Sequence, residues 1–195
     1  MKKIIGITGG VGSGKSTVLS ILKEDYSADI FIADEVGHEV FHPGTDSFDR
    51  IVSHFGFSVL DSSGEISHEV LSGIIFQEES EKAFLNSIVH PYVIGRAREE
   101  IELWRRNSES PLFVLETALL FETGCDSLCD EVWGVLTDAG VRVRRLMETR
   151  GYSEEKCRSI IAGQMSDQFL MDHCDRVVRN DGSEEELKRI VSSFF

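Results

Sequence analysis

The sequence predicts an α/β protein: a five-stranded parallel sheet with helices on both faces. Three observations predict it. Short, near-continuous apolar runs alternate with segments whose apolar residues recur every three or four positions. The runs lack the polar alternation of a half-exposed strand, so they belong to a sheet covered on both sides. A glycine-rich turn and two carboxylates, Asp34 and Glu116, fall at the carboxyl ends of such runs, where open parallel sheets bind their ligands.

The elements follow in order. Lys3–Thr8 is β-branched and ends in glycine, a buried strand. From Ser16, the apolar residues Val18, Leu19, Ile21 and Leu22 line a helix face. Asp29–Asp34, "DIFIAD", is a second strand ending in a carboxylate, and Glu35–Phe41 resumes helical spacing. Pro43–Asn107 has a different texture: few strand signals, and apolar residues at helical intervals, as in Val70, Leu71, Ile74 and Ile75. It reads as a mainly helical insertion. "DSSGE" (Asp61–Glu65) is a turn, and His90-Pro91 marks a helix break, since a residue before proline avoids helix. A long helix, Tyr92–Arg106, follows. Pro111–Thr117 and Glu131–Asp138 are the third and fourth strands, Val141 to about Cys174 is helical and charged, and Asp175–Asn180 is the fifth strand. Ser183–Phe195 closes as a helix, with Ser183 and Glu186 at capping-box spacing.

Composition narrows the function classes. A chain of 195 residues supports one substantial core with insertions. No apolar run approaches the ~20 residues of a membrane span. The apolar stretch in "MKKIIGIT" is only about five residues and runs straight into glycines, so it reads as a strand, not a leader, and a cytoplasmic location is expected. A formal charge of −14 repels nucleic acid. A phosphorylated ligand therefore needs locally concentrated positive charge, which "VRVRRLMETR" supplies with Arg142, Arg144, Arg145 and Arg150. Cys125, Cys129, Cys157 and Cys174 stay reduced in a cytosol. The Cys125–Cys129 spacing leaves a zinc site open beside buried thiols.

Gly9-x4-Gly14-Lys15-Ser16 matches the phosphate-binding P-loop pattern in strand–loop–helix context. Glycines at 9, 10, 12 and 14 allow the backbone to bend until its N–H groups converge on phosphate oxygens at the positive end of the next helix. Gly10, Val11, Gly12, Ser13, Gly14, Lys15, Ser16 and Thr17 are the candidate ATP contacts. Lys15 can reach the β and γ phosphates, and Ser16 can ligate Mg²⁺. A glycine turn packed without ligand is the alternative. A dinucleotide loop fits worse, because G-x-G-x-x-G supplies no lysine. No N-K-x-D guanine reader is present. A small P-loop chain with a helical insertion and an arginine-rich helical segment after the fourth strand points to a nucleotide or metabolite kinase. Asp34 is then a candidate base for an acceptor hydroxyl, with a helix N-cap as its alternative. Glu116 is a partner of Mg²⁺-bound water or a solvated strand-end acid.

"GITGGVGSGKSTV", "IADEVGHEVF", "HPYV", "LETALLFETG", "RLMETRGYS", "GQM" and "RNDGS" stand in the order seen in dephospho-CoA kinases, and the chain resembles that family over essentially its whole length. The resemblance implies a P-loop kinase core (about 1–35, 108–140 and 171–195), a helical CoA-binding insertion (about 36–107) and a helical lid (about 141–170). It implies phosphoryl transfer from ATP to the ribose 3′-hydroxyl of 3′-dephospho-CoA, with Mg²⁺. Carried over, Asp34 is the base, Lys15 and Arg145 are catalytic, and His90 and Glu116 lie in the substrate region. Arg145 and Arg150 match the lid's R-L-x-x-x-R, and Asn180 matches the loop bordering adenine. A turn histidine remains the alternative for His90, and a solvated charge for Arg145. A small-molecule substrate, no nucleic acid or membrane partner, and a monomer or weak homo-oligomer are expected.

Departures are visible. Ala118 stands where the family has proline, Ser67-His68 where it tends to Asp-Arg, and Ile160 where its lid has arginine; a lysine is replaced within "QFLMD". The lid is therefore poorer in positive charge, with Arg158 a possible substitute. A kinase for another hydroxylated metabolite, and a nucleotide-binding regulator without transfer activity, are the competing functions.

Overall fold

Lys3–Thr8 forms β1, the middle strand of the sheet in a computed structural model that describes residues 2–195. The other strands are β2 (Asp29–Ile32), β3 (Leu112–Glu116), β4 (Glu131–Leu136) and β5 (Arg176–Arg179), in the order β2-β3-β1-β4-β5. β1 runs parallel to β3, with Ile5 opposite Val114, and parallel to β4, with Thr8 opposite Gly134. β4 pairs in parallel with β5. Every residue of β3 and β4 is buried, which is why these strands read as continuous apolar runs.

The helices are α1 (Lys15–Tyr26), α2 (Ala33–Gly37), α3 (Asp46–Phe55), α4 (His68–Gln77), α5 (Glu79–Asn107), α6 (Ala139–Arg150), α7 (Glu154–Ala162), α8 (Asp167–His173) and α9 (Glu184–Ser192). α9 carries the expected capping box: Ser183 Oγ accepts from Glu186 N–H, and Glu186 accepts from Ser183 N–H. One half of that chemistry, a hydroxyl accepting from a first-turn N–H, starts α3 at Thr45, α4 at Ser67, α7 at Ser153 and α8 at Ser166. No helix among the described residues is long and apolar enough to cross a membrane.

The chain divides into two compact units, Met1–Phe31 with Glu100–Phe195, and Ile32–Glu99. The first holds the core built on β1, β3 and β4. At its closing end Phe195 stacks on Tyr26 at 4.0 Å and meets the buried Trp133 edge-on. The second has its own core, made by Val40, Ile51, Ile66, Leu71, Leu85 and Ile88. Its Asp61–Glu65 turn is held by Asp61 Oδ1, which accepts from the N–H groups of Ser63 and Glu65.

Several strand ends shift by one or two residues from the sequence reading, and two differences bear on the site residues. The second strand ends at Ile32, so Asp34 lies in the first turn of α2. The break expected at His90-Pro91 does not occur: α5 runs through it as one 29-residue helix. Proline at 91 forfeits a single intrahelical N–H bond, whereas the apolar face continues on both sides through buried Leu85, Ile88, Val93 and Ala97.

The cysteines serve packing. A side chain at Gly6 would meet Cys129 Sγ at 2.8 Å, and one at Gly134 would meet Cys174 Sγ at 2.9 Å. Burial pushes the Cys129 thiol up to about 12 and the Cys174 thiol up to about 11. Among the described residues no disulfide joins them, and no metal-holding cluster of His, Cys, Asp and Glu occurs.

Candidate active site

The loop between β1 and α1 is built by hydrogen bonds that fold it over its own helix. Ser13 N–H donates to Gly10 O at 3.2 Å. Ser13 O is held from outside by Thr137 Oγ1 at 2.9 Å and Asn180 Nδ2 at 2.8 Å. Gly14, the N-cap of α1, has φ +88°, and a Cβ there would lie 2.0 Å from Asn180 Nδ2; only glycine meets both demands. The N–H groups of Gly12, Gly14, Lys15 and Ser16 find no acceptor among the described residues. They sit at the positive end of α1, whose first turn carries no acidic residue. Such open donors at a helix start match a chain of phosphate oxygens. The exposed Ser16 hydroxyl also makes no hydrogen bond among the described residues, so this oxygen donor fits an Mg²⁺ ion beside the phosphates.

Lys15 folds back along this loop. Its Nζ donates to Gly9 O at 3.0 Å and stands 3.5 Å from Glu116 Oε1. Both side chains are largely buried. Glu116 is the last residue of β3, next to β1, so parallel pairing of the two strands brings this carboxylate to the lysine. The solvated-acid alternative for Glu116 is thereby removed.

α6 supplies the cations. Arg145 donates to Asn180 O at 3.1 Å and Gly12 O at 3.4 Å, bridging the phosphate loop and the end of β5. Asn180 is itself buried, with its side chain committed to Ser13 O. Arg150 does not join this group; it stands exposed at the last residue of α6. Arg158 is likewise exposed and pairs with Glu154 at 2.7 Å within α7. Two residues that the sequence reading gives only as part of a charged run and of a motif, not as site residues, are here instead. Arg142 is 4% exposed and donates through Nε to Val11 O at 2.9 Å and through Nη2 to Gln164 Oε1 at 2.6 Å. The Arg142 signal was the "VRVRR" run, and that of Gln164 was "GQM"; neither discloses a contact made across more than a hundred residues.

Asp34 and His90 belong to the second unit. Asp34 is exposed in the first turn of α2, whose N-cap is Ile32, so the N-cap alternative does not hold. His90 is half-buried inside α5, not in a turn. In the same unit Tyr92 Oη donates to Glu39 Oε2 at 2.6 Å, and this hydrogen bond holds the phenol above its usual range. Arg96 lies 3.8 Å from the same carboxylate oxygen. Where the sequence departs from the resemblance, Ser67 caps α4 and His68 forms a ring cluster with Phe41 (5.0 Å, edge-on) and His38 (5.3 Å).

Comparison with known proteins agrees with this geometry. A family model described as dephospho-CoA kinase matches residues 3–186. A dephospho-CoA kinase of Geobacillus kaustophilus is 39% identical over 189 residues, 97% of this chain and 93% of the relative. Among solved structures, a protein from Thermus thermophilus superposes with a TM-score of 0.81 at 28% identity, covering 99% of this chain and 96% of that one. A dephospho-CoA kinase from Campylobacter jejuni gives 0.72 at 21% identity, covering 100% and 96%.

Proposed function

The chain belongs to the dephospho-CoA kinase family, and we propose that it transfers the γ-phosphate of ATP to the ribose 3′-hydroxyl of 3′-dephospho-CoA, giving CoA and ADP. The observation that carries the proposal is the open row of N–H groups at Gly12, Gly14, Lys15 and Ser16, with a buried lysine among them, in a chain matched to that family over nearly its whole length.

Under this reading the phosphate loop grips the α, β and γ phosphates through its backbone. Lys15 leaves Gly9 O and turns to the phosphoryl oxygens, where its charge offsets the negative charge that spreads over them during transfer. Glu116 stays behind as the carboxylate that keeps Lys15 aimed. Ser16 would hold Mg²⁺, which when bound would supply positive charge against the phosphate oxygens. Arg145 anchors the loop and the end of β5, and the segment beginning at Asn180 takes the adenine. Asp34 accepts the proton of the attacking hydroxyl. His90 and the helices of residues 36–107 take the acceptor, and the segment 141–170 closes over the phosphates and excludes water.

The experiment is direct. The purified chain is incubated with MgATP and dephospho-CoA, and CoA and ADP are followed by chromatography and mass spectrometry. Equimolar CoA and ADP support the proposal. ATP consumption with another hydroxylated acceptor and no CoA would overturn it.

A further inference from the structure

We propose that Arg142 is a positioning residue for the nucleotide: together with Gln164 it brackets Val11 and presets the phosphate loop for the triphosphate of ATP. The inference rests on the reading of that loop as the ATP site.

Three hydrogen bonds close a triangle. Arg142 Nε donates to Val11 O at 2.9 Å, Arg142 Nη2 donates to Gln164 Oε1 at 2.6 Å, and that same oxygen accepts from Val11 N–H at 3.0 Å. Both backbone polar groups of one residue at the loop's bend are thus held by two side chains acting as a unit. The planar guanidinium is suited to this, because its donors leave in fixed directions. Gly10 shows how tightly the unit is seated. Its φ is not in the left-handed region, so the backbone does not require glycine there. A Cβ would nevertheless lie 2.1 Å from Arg142 Nη2 and 2.8 Å from Gln164 Oε1. The glycine at 10 makes room for Arg142.

The charge is the second observation. Arg142 is almost fully buried, yet no carboxylate lies within ion-pair reach of it among the described residues. Burial lowers its basicity, with Asp167 opposing only through longer-range attraction. A buried cation held only by carbonyl oxygens is costly. Beside a loop whose open N–H groups await phosphate, that cost is offset when a polyanion arrives. In a chain of net charge −14 the positive potential has to be local, and this guanidinium supplies it.

The test uses the full chain with Arg142→Ala, Arg142→Lys, Gln164→Ala and the Arg142→Ala/Gln164→Ala double variant. Tm, MgATP affinity by calorimetry, and the KM values for MgATP and for dephospho-CoA are measured. Arg142→Ala is expected to raise the Kd and KM for MgATP by about 10- to 100-fold, the loss of a charge-assisted contact that orders the site. The KM for dephospho-CoA is expected to stay within about twofold, a split that mere loss of folded enzyme cannot produce. Gln164→Ala should act in the same direction, and the double variant should be no worse than Arg142→Ala, because both residues act on Val11. If Arg142→Ala does not fold, Arg142→Lys carries the test: it keeps the cation but lacks the fork, and a rise in the same direction, smaller than that of alanine, is expected. MgATP affinity within about twofold of wild type in a folded Arg142 variant, or strictly additive losses in the double variant, would overturn the inference. Calorimetry needs no acceptor, so a wild-type chain that binds MgATP but forms no CoA overturns the proposed function and leaves this inference to stand on its own binding data.

Discussion

Asn180 and Ser13 lie 167 residues apart and share a 2.8 Å hydrogen bond from the amide Nδ2 to the carbonyl of the phosphate loop. The contact is buried, and Thr137 donates to the same oxygen. Asn180→Ala removes one of two donors and leaves a gap beside Gly14. The expected cost is about 1–2 kcal/mol in urea-induced unfolding, with MgATP binding weakened as the loop relaxes. Unchanged stability and affinity would show that Thr137 alone suffices.

Lys15 is the group whose loss separates transfer from folding. Lys15→Ala should abolish phosphoryl transfer while leaving the far-UV circular dichroism unchanged. It also removes the cation that stands 3.5 Å from the buried Glu116 carboxylate. The double variant Lys15→Ala/Glu116→Gln, which neutralises that carboxylate, is therefore expected to melt higher than Lys15→Ala alone.

Asp34→Asn keeps the size of the side chain and removes its basicity. Turnover should fall by about 10²–10⁴, with calorimetric MgATP affinity retained, as for loss of a general base. Asp34 is not the N-cap of α2, so no capping hydrogen bond is lost. Near-normal turnover in this variant would remove Asp34 from the chemistry.

Glu131 sets a pH dependence. It begins β4 and joins Lys3 of β1 and Arg176 of β5, the latter at 2.5 Å, so one carboxylate ties three neighbouring strands. Burial alone raises its pKa, but the hydrogen bonds from Lys3 and Arg176 together outweigh burial and hold it below the usual carboxylate range. A carboxyl lowered in the folded state stabilises fully above its unfolded value of about 4.3 and loses that contribution as pH falls through the folded value. The stability gap between wild type and Glu131→Gln should therefore be constant near neutrality and narrow in acid below that range. A gap that stays constant into strong acid would show that the ion triad is not its source.

Much of this was legible from local chemistry. The strands announced themselves because a strand buried on both faces must be apolar along its length, as in Leu112–Glu116 and Glu131–Leu136. The loop between β1 and α1 is legible because glycine spacing over eight residues specifies the turn. Ser183 is legible as a cap because Glu186 stands three residues on; Thr45, Ser67, Ser153 and Ser166 cap their helices with no Glu or Gln at that position to mark them. Pro91 was misread, since a local rule against helix yields when apolar contacts on both sides outweigh one missing hydrogen bond.

The sequence by itself determined the parallel α/β plan, the phosphate loop and the kinase family. It named Lys15, Ser16, Asp34 and Glu116 through residue type and place at strand ends. Only the tertiary structure decided that Arg142 and Gln164 enclose Val11, that Asn180 is spent on Ser13, that Arg150 and Arg158 stay at the surface, and that Gly10 is small for the sake of an arginine. The physical reason is range. Turns, caps and strand patterns arise from neighbours along the chain, whereas the partner of a long, multiply donating side chain is whichever carbonyl the folded backbone brings within about 3 Å of it.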